Sequence, residues 1–206
     1  MRTARPNLVA LVLPTVMLVA GGCSTSPPSR FYVLTPLASS GPTAPEPGVV
    51  QTPIRIAAVG LPKHLDRPQI VTRGEGNRLL FGEFDRWGEP LEHNFASVLA
   101  ENLTRLLASQ GVTVLTFRQG VSVDYEVWVE LTRFDVDTDG KASLHAMWQV
   151  QRAGSSEGKL YTSRLEEHSD GEEYEARVEA LSRAVRALSG EIADAVKDTL
   201  AKPSAQ

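Results

Sequence analysis

From Val121 to Leu131 apolar residues hold every second position, with Ser122, Asp124, Glu126, Trp128 and Glu130 between them. A period of two places Val121, Val123, Tyr125, Val127, Val129 and Leu131 on one face of a β-strand. The phase slips between Leu131 and Phe134, which predicts a bulge near Thr132-Arg133. Asp139-Gly140 then turns the chain into a strand over 142–151, and Gly154 to Gly158 into another over 159–166. Earlier, Ile54 to Val59 reads as a strand stopped by Gly60-Leu61-Pro62. Gln69 to Thr72 and Arg78 to Phe81 flank Gly74-Glu75-Gly76-Asn77 as a hairpin. Phe31 to Thr35, ending at Pro36, predicts a short edge strand, and Val112 to Leu115 another strand.

Two segments carry the helical period instead. Leu91, Phe95, Val98, Leu99, Leu103, Leu106 and Leu107 recur at three and four residues, with Pro90 as the first helical residue and Gly111 as the closing glycine. Tyr174, Val178, Leu181, Val185, Leu188, Ile192, Val196 and Leu200 mark a longer helix behind a capping box of Asp170 and Glu173. Glu173 with Arg177 and Glu179 with Arg183 are expected to pair across one turn of it. Each helix has a single apolar stripe to bury, so the fold class is α/β, a mixed β-sheet with two main helices packed on it.

The N-terminus changes the picture from fold to location. Arg2 and Arg5 precede an apolar run from Leu8 to Ala20, interrupted at Pro14, that suits an export signal better than a membrane span. Val19-Ala20-Gly21-Gly22-Cys23 resembles a bacterial lipobox, although leucine usually stands where Ala20 does. Residues 1–22 are then a lipoprotein signal peptide, and Cys23 carries diacylglycerol and an N-acyl chain, with no other cofactor expected. Ser24, where aspartate would retain the protein in the inner membrane, points to the outer membrane and its periplasmic face. Residues 23–30 form a Pro-rich tether, residues 31–202 a single domain, and residues 39–53 a Pro-rich linker inside it. Cleavage leaves 184 residues with a net charge near −6, which argues against nucleic acid and against electrostatic attachment to anionic lipid. Cys23 is the sole cysteine, so no intramolecular disulfide is available and the fold depends on packing.

Candidate chemistry is sparse. Asp135, Asp137, Asp139 and Gly140 open like a calcium loop, but position twelve falls on Ala146 and the flanks read as strands, so an acidic hairpin is expected. His64, His93, His145 and His168 lie far apart with no metal-ligand spacing. Gly74-Glu75-Gly76 precedes a strand and reads as a turn. No Gly-x-Ser-x-Gly elbow occurs, and no enzyme is expected. Among Trp87, Trp128 and Trp148, Trp128 interrupts the polar face of the best strand. Either a helix covers that face, which the layering of α/β folds favours, or Trp128 marks a contact surface.

Several segments together resemble the PqiC-type auxiliary lipoproteins of transport systems built on MCE-domain proteins. They are Phe31-Tyr32-Val33-Leu34-Thr35-Pro36-Leu37, Val59-Gly60-Leu61-Pro62, and Leu65 through Arg73. Arg86-Trp87-Gly88-Glu89-Pro90-Leu91 is similar to the family's R-W-x-E-P-L signature, with Gly88 where alanine is usual. The resemblance implies a fold like the N-terminal, periplasmic domain of TolB and self-assembly into a ring. It also implies a docking role for an inner-membrane MCE protein (PqiB-like) in lipid transport that maintains the envelope, with Arg86, Trp87, Glu89, Pro90 and Leu91 as the family motif. An LptE-like or pilotin-like assembly chaperone is the other lipoprotein class with these features.

Overall fold

The computed structural model describes residues 26–38, 52–116, 120–155 and 158–201. The expected leader, Cys23 and most of the 39–53 linker lie outside the described residues. Eight strands and two helices follow in the order β1 (Arg30–Tyr32), β2 (Thr52–Gly60), β3 (Gln69–Arg73), β4 (Leu79–Trp87), α1 (Leu91–Leu106), β5 (Val112–Thr116), β6 (Tyr125–Asp137), β7 (Lys141–Arg152), β8 (Gly158–His168) and α2 (Tyr174–Ala201). The expected class is observed, a mixed sheet with two helices on it. Among the described residues no helix is long and apolar enough to cross a membrane.

The period-two strand is the spine. One edge of β6 pairs antiparallel with β7 along nearly its whole length, and β7 with β8. A strand has only two hydrogen-bonding edges, so β2 and β3 share the other: β2 runs parallel beside Tyr125 to Glu130, β3 beside Val136 and Asp137. From β2 the sheet continues to β5, and from β3 through β4 to β1, an edge strand as expected. The bulge lies between Leu131 and Arg133, where the phase slip placed it.

Both helices cover one face. Val127, Val129, Leu131, Phe134 and Val136 of β6 and Ala142, Leu144, Ala146, Trp148 and Val150 of β7 are buried beneath the stripes of α1 and α2. Phe95 meets Phe134 edge to face at 5.6 Å. Trp148 stacks on Tyr161 at 4.3 Å, and its indole N–H donates to Ser163 Oγ at 2.7 Å.

Several local expectations need correction. Pro90 is the N-cap of α1, with extended ψ of 127°, and the helix proper starts at Leu91. At the other end α1 stops at Leu106, and Gly111, at φ 65°, closes a 3-10 turn over Ala108–Gln110. β6 begins at Tyr125, leaving Val121 exposed, because β2 and β7 pair with it only from there. Asp170 is no cap: α2 starts four residues later, and Asp170 faces Arg183 at 3.5 Å. The two i,i+4 pairs give way to other partners. Arg183 takes Glu167, Arg177 donates to Thr72 Oγ1 and the Glu172 carbonyl, and Glu179 lies 3.8 Å from Arg186. Asp137 of the calcium-like sequence accepts from the backbone N–H groups of Asp139 and Lys141, the acidic hairpin expected there. Trp128 is 40% exposed on the helix-free face, so the covering helix expected over it is on the other side of the sheet.

Candidate docking site

The family motif occupies the passage from β4 into α1. Asp85 and Trp87 alternate toward the helix layer, and both are buried. Trp87 N–H donates to the Pro68 carbonyl at 2.7 Å and Gly88 N–H to the Tyr32 carbonyl at 2.8 Å. Thus the loop before β3 and the end of β1 are both tied to the motif. A Cβ at Gly88 would stand 3.2 Å from Val33 Cγ1, a tight approach that glycine relieves. Trp87, Glu89, Pro90 and Leu91 line a cleft of about 350 Å³ with Arg67 and Pro68. Arg86 is not among its walls: it lies in register with Phe31 on one side and Gln69 on the other, on the opposite face from Trp87.

Glu89 works inward from its exposed position just before the Pro90 cap. Its Oε1 accepts from Asn94 Nδ2 at 2.9 Å, and Asn94 Oδ1 in turn accepts the Leu34 N–H at 2.7 Å. Two turns on, Asn102 Oδ1 accepts the Leu37 N–H at 2.7 Å while Nδ2 donates to Ser189 Oγ at 3.1 Å. Ser182 Oγ accepts from Thr35 N–H at 3.1 Å. Residues 33–38 therefore form a strap over the α1–α2 seam, its amides satisfied by side chains instead of a ladder. This is why β1 is shorter than the apolar run predicts.

At the strap's start Asp85 collects three donors: Arg30 Nε at 2.8 Å, Arg30 Nη2 at 3.1 Å and Tyr32 Oη at 2.9 Å. Burial, followed by this bond to Asp85, pushes the Tyr32 hydroxyl up to about 12, so it stays a donor. Sequence reasoning missed Asn94, Asn102, Ser182, Ser189 and Asp85. A signal existed for the asparagines, which sit eight residues apart within the apolar stripe of α1, a position where polar groups need a partner.

The helix-free face carries a second concavity of about 440 Å³, lined by Ala58, Gly60, Trp128, Glu130, Met147 and Leu160 among others. Trp128, Met147 and Leu160 are exposed there by 40%, 41% and 64%. Of these, sequence reasoning singled out Trp128 alone. Next to them Glu126 is held below the usual carboxylate range by the Arg55 hydrogen bond, against the cost of burial, with a further bond from Gln151.

A family model described as the ABC-type transport auxiliary lipoprotein component matches residues 32–193, in agreement with the PqiC-type resemblance. No curated protein matches the chain in sequence. A crystal structure of an uncharacterized protein superposes with a TM-score of 0.69 at 19% identity, covering 82% of this chain and 99% of its own. A crystal structure from Xanthomonas campestris gives 0.62 at 15% identity, covering 82% and 99%. At these identities the two structures establish the shared fold.

Proposed function

The chain belongs to the ABC-type transport auxiliary lipoprotein family, and on that premise we propose that it is a non-catalytic docking subunit at the periplasmic face of the outer membrane. Residues 1–22 are its signal peptide, acyl chains on Cys23 are its anchor and residues 23–30 its tether. Its partner is an inner-membrane MCE-domain protein whose far end it receives, in a system that moves lipid and maintains the envelope. The observation that carries this reading is the family match, which runs from residue 32 through the motif and α1 and into α2 as far as residue 193.

The motif's polar groups support it. Glu89 is engaged with Asn94, and the Trp87 and Gly88 amides with Pro68 and Tyr32, so the motif builds a scaffold. Arg30 is already part of β1, so the seven residues 23–29 ahead of it reach at most about 25 Å, which keeps the domain beside the bilayer and gives an incoming partner a high effective concentration. A modest pairwise affinity is then sufficient. Purification of the acylated protein from membranes should recover an MCE-domain protein; recovery of a secretin or a β-barrel alone would move the assignment to the assembly chaperones. Cys23→Ser should remove the acyl mass and release the protein from the outer-membrane fraction.

A further inference from the structure

We infer that the concavity on the helix-free face receives a polypeptide segment of a partner protein in which a lysine or arginine is flanked by aliphatic residues. The register fixes the arrangement. Ala58, Trp128, Gln149 and Leu160 form one row across β2, β6, β7 and β8, and Gly60, Glu130, Met147 and Thr162 form the next. Residues opposite one another in a sheet point to one face, so Trp128 and Met147 flank Glu130, and Leu160 stands on the same face beyond Gln149.

Three observations specify the occupant. First, Trp128 presents its ring to solvent, 40% exposed, two residues along the strand from the ion-paired Glu126; an exposed aromatic is the usual energetic centre of an interface. Second, Glu130 is the one charged residue of the lining, and among the described residues it has no hydrogen-bond or ion-pair partner. Third, Gly60 makes its room: a Cβ there would lie 1.7 Å from Glu130 Oε2. The carboxylate rests over bare backbone inside an apolar surround. Charge complementarity therefore selects a cation, and the walls select an aliphatic stem or neighbour, with the Trp128 ring adding a cation–π contact. At Glu130 itself an anionic phospholipid meets the wrong sign; the next row on this face, beyond Thr162, is basic, with Arg133 paired to Asp135 and His145 and Arg164 beside it.

The inference shares with the docking reading only the expectation of a protein partner, and its test uses no MCE protein, so either can fail alone. The mature full chain, labelled with 5-fluorotryptophan and held in nanodiscs, is titrated with acetyl-Leu-Lys-Leu-Lys-Leu-amide and with the peptide in which glutamate replaces lysine. Fluorine NMR separates Trp128 from the buried Trp87 and Trp148. The lysine peptide should shift the Trp128 resonance saturably and bind about fivefold or more tightly than the glutamate peptide, the weight of one exposed ion pair. Glu130→Lys should invert that preference. Gly60→Ala, which displaces only the end of a flexible side chain, should weaken lysine-peptide binding while leaving the thermal midpoint in place. Equal affinity for the two peptides, or an unchanged preference in Glu130→Lys, would overturn the inference. So would a Trp128 resonance that follows nanodisc lipid charge but neither peptide, or one that shifts with protein concentration through self-association.

Discussion

Truncating Asn102 to alanine is the sharpest probe of the strap. The side chain is fully buried and bonds Leu37 N–H through Oδ1 and Ser189 Oγ through Nδ2. Ser189 retains its own donation to the Val185 carbonyl at 2.7 Å, so the loss on that side is small. The Leu37 amide, by contrast, is left without an acceptor over the helix seam, at a cost of about 1 to 3 kcal/mol. The vacated volume adds roughly 1 kcal/mol, and the better helix propensity of alanine returns up to about 0.7 kcal/mol. A net destabilisation of about 1.3 to 3.3 kcal/mol follows, read as a fall of roughly 3 to 13 °C in Tm for a domain of this size. Hydrogen exchange should localise the effect: the Leu37 amide loses protection, while Leu34, held by Asn94, keeps it. An Asn102→Ala protein within about 0.5 kcal/mol of the parent, or one with a protected Leu37 amide, would refute the claim that side chains hold the strap.

Other substitutions probe the motif and the sheet. Trp87→Ala should destabilise the domain by about 3 to 5 kcal/mol in urea unfolding, with partner binding per folded molecule unchanged; a fully stable variant that no longer binds would make Trp87 an interface residue. Glu89→Gln keeps an acceptor for Asn94 but removes a charge beside the start of α1, so a loss of about 0.3 to 1 kcal/mol is expected. Gly88→Ala, the residue usual in the family, should lie within about 0.5 kcal/mol of the parent, because half-exposed Val33 can yield to the new methyl. Burial, followed by Arg133 and Arg164, holds the His145 imidazole below its ordinary 6.5. The unfolded chain therefore binds the proton first. Stability is complete above that ordinary value and falls as pH drops from it toward the lower folded value, a slope His145→Gln should flatten.

The legible parts of the fold were those that packing dictates. The α2 stripe from Val178 to Val196 and the β6 alternation from Val127 to Leu131 face the core as their periods require. The bulge was readable because a phase slip has one local remedy. Charge pairing on α2 was not readable: Arg183 chose Glu167 on β8, a partner 16 residues away in sequence. The same holds for Trp128, since a period of two assigns the apolar face to the core but does not say whether the face bearing a lone tryptophan is covered as well. At the candidate site Trp87 and Glu89 were visible as a motif. The groups that give Glu89 its work, Asn94 and the Leu34 amide, come together only when the strap folds over α1.

The strap also decides how the molecule carries a load. Tension entering through the N-terminal chain meets β1, which holds β4 by only three residues in register. Behind it, Leu34, Thr35 and Leu37 are fastened to Asn94, Ser182 and Asn102 on two different helices. A pull is thus passed from a short, easily sheared strand to a row of separate side-chain fasteners across the helix seam. The sheet face that bears Trp128 and Glu130 is mechanically downstream of that row, so it can stay undeformed while the chain ahead of it is stretched.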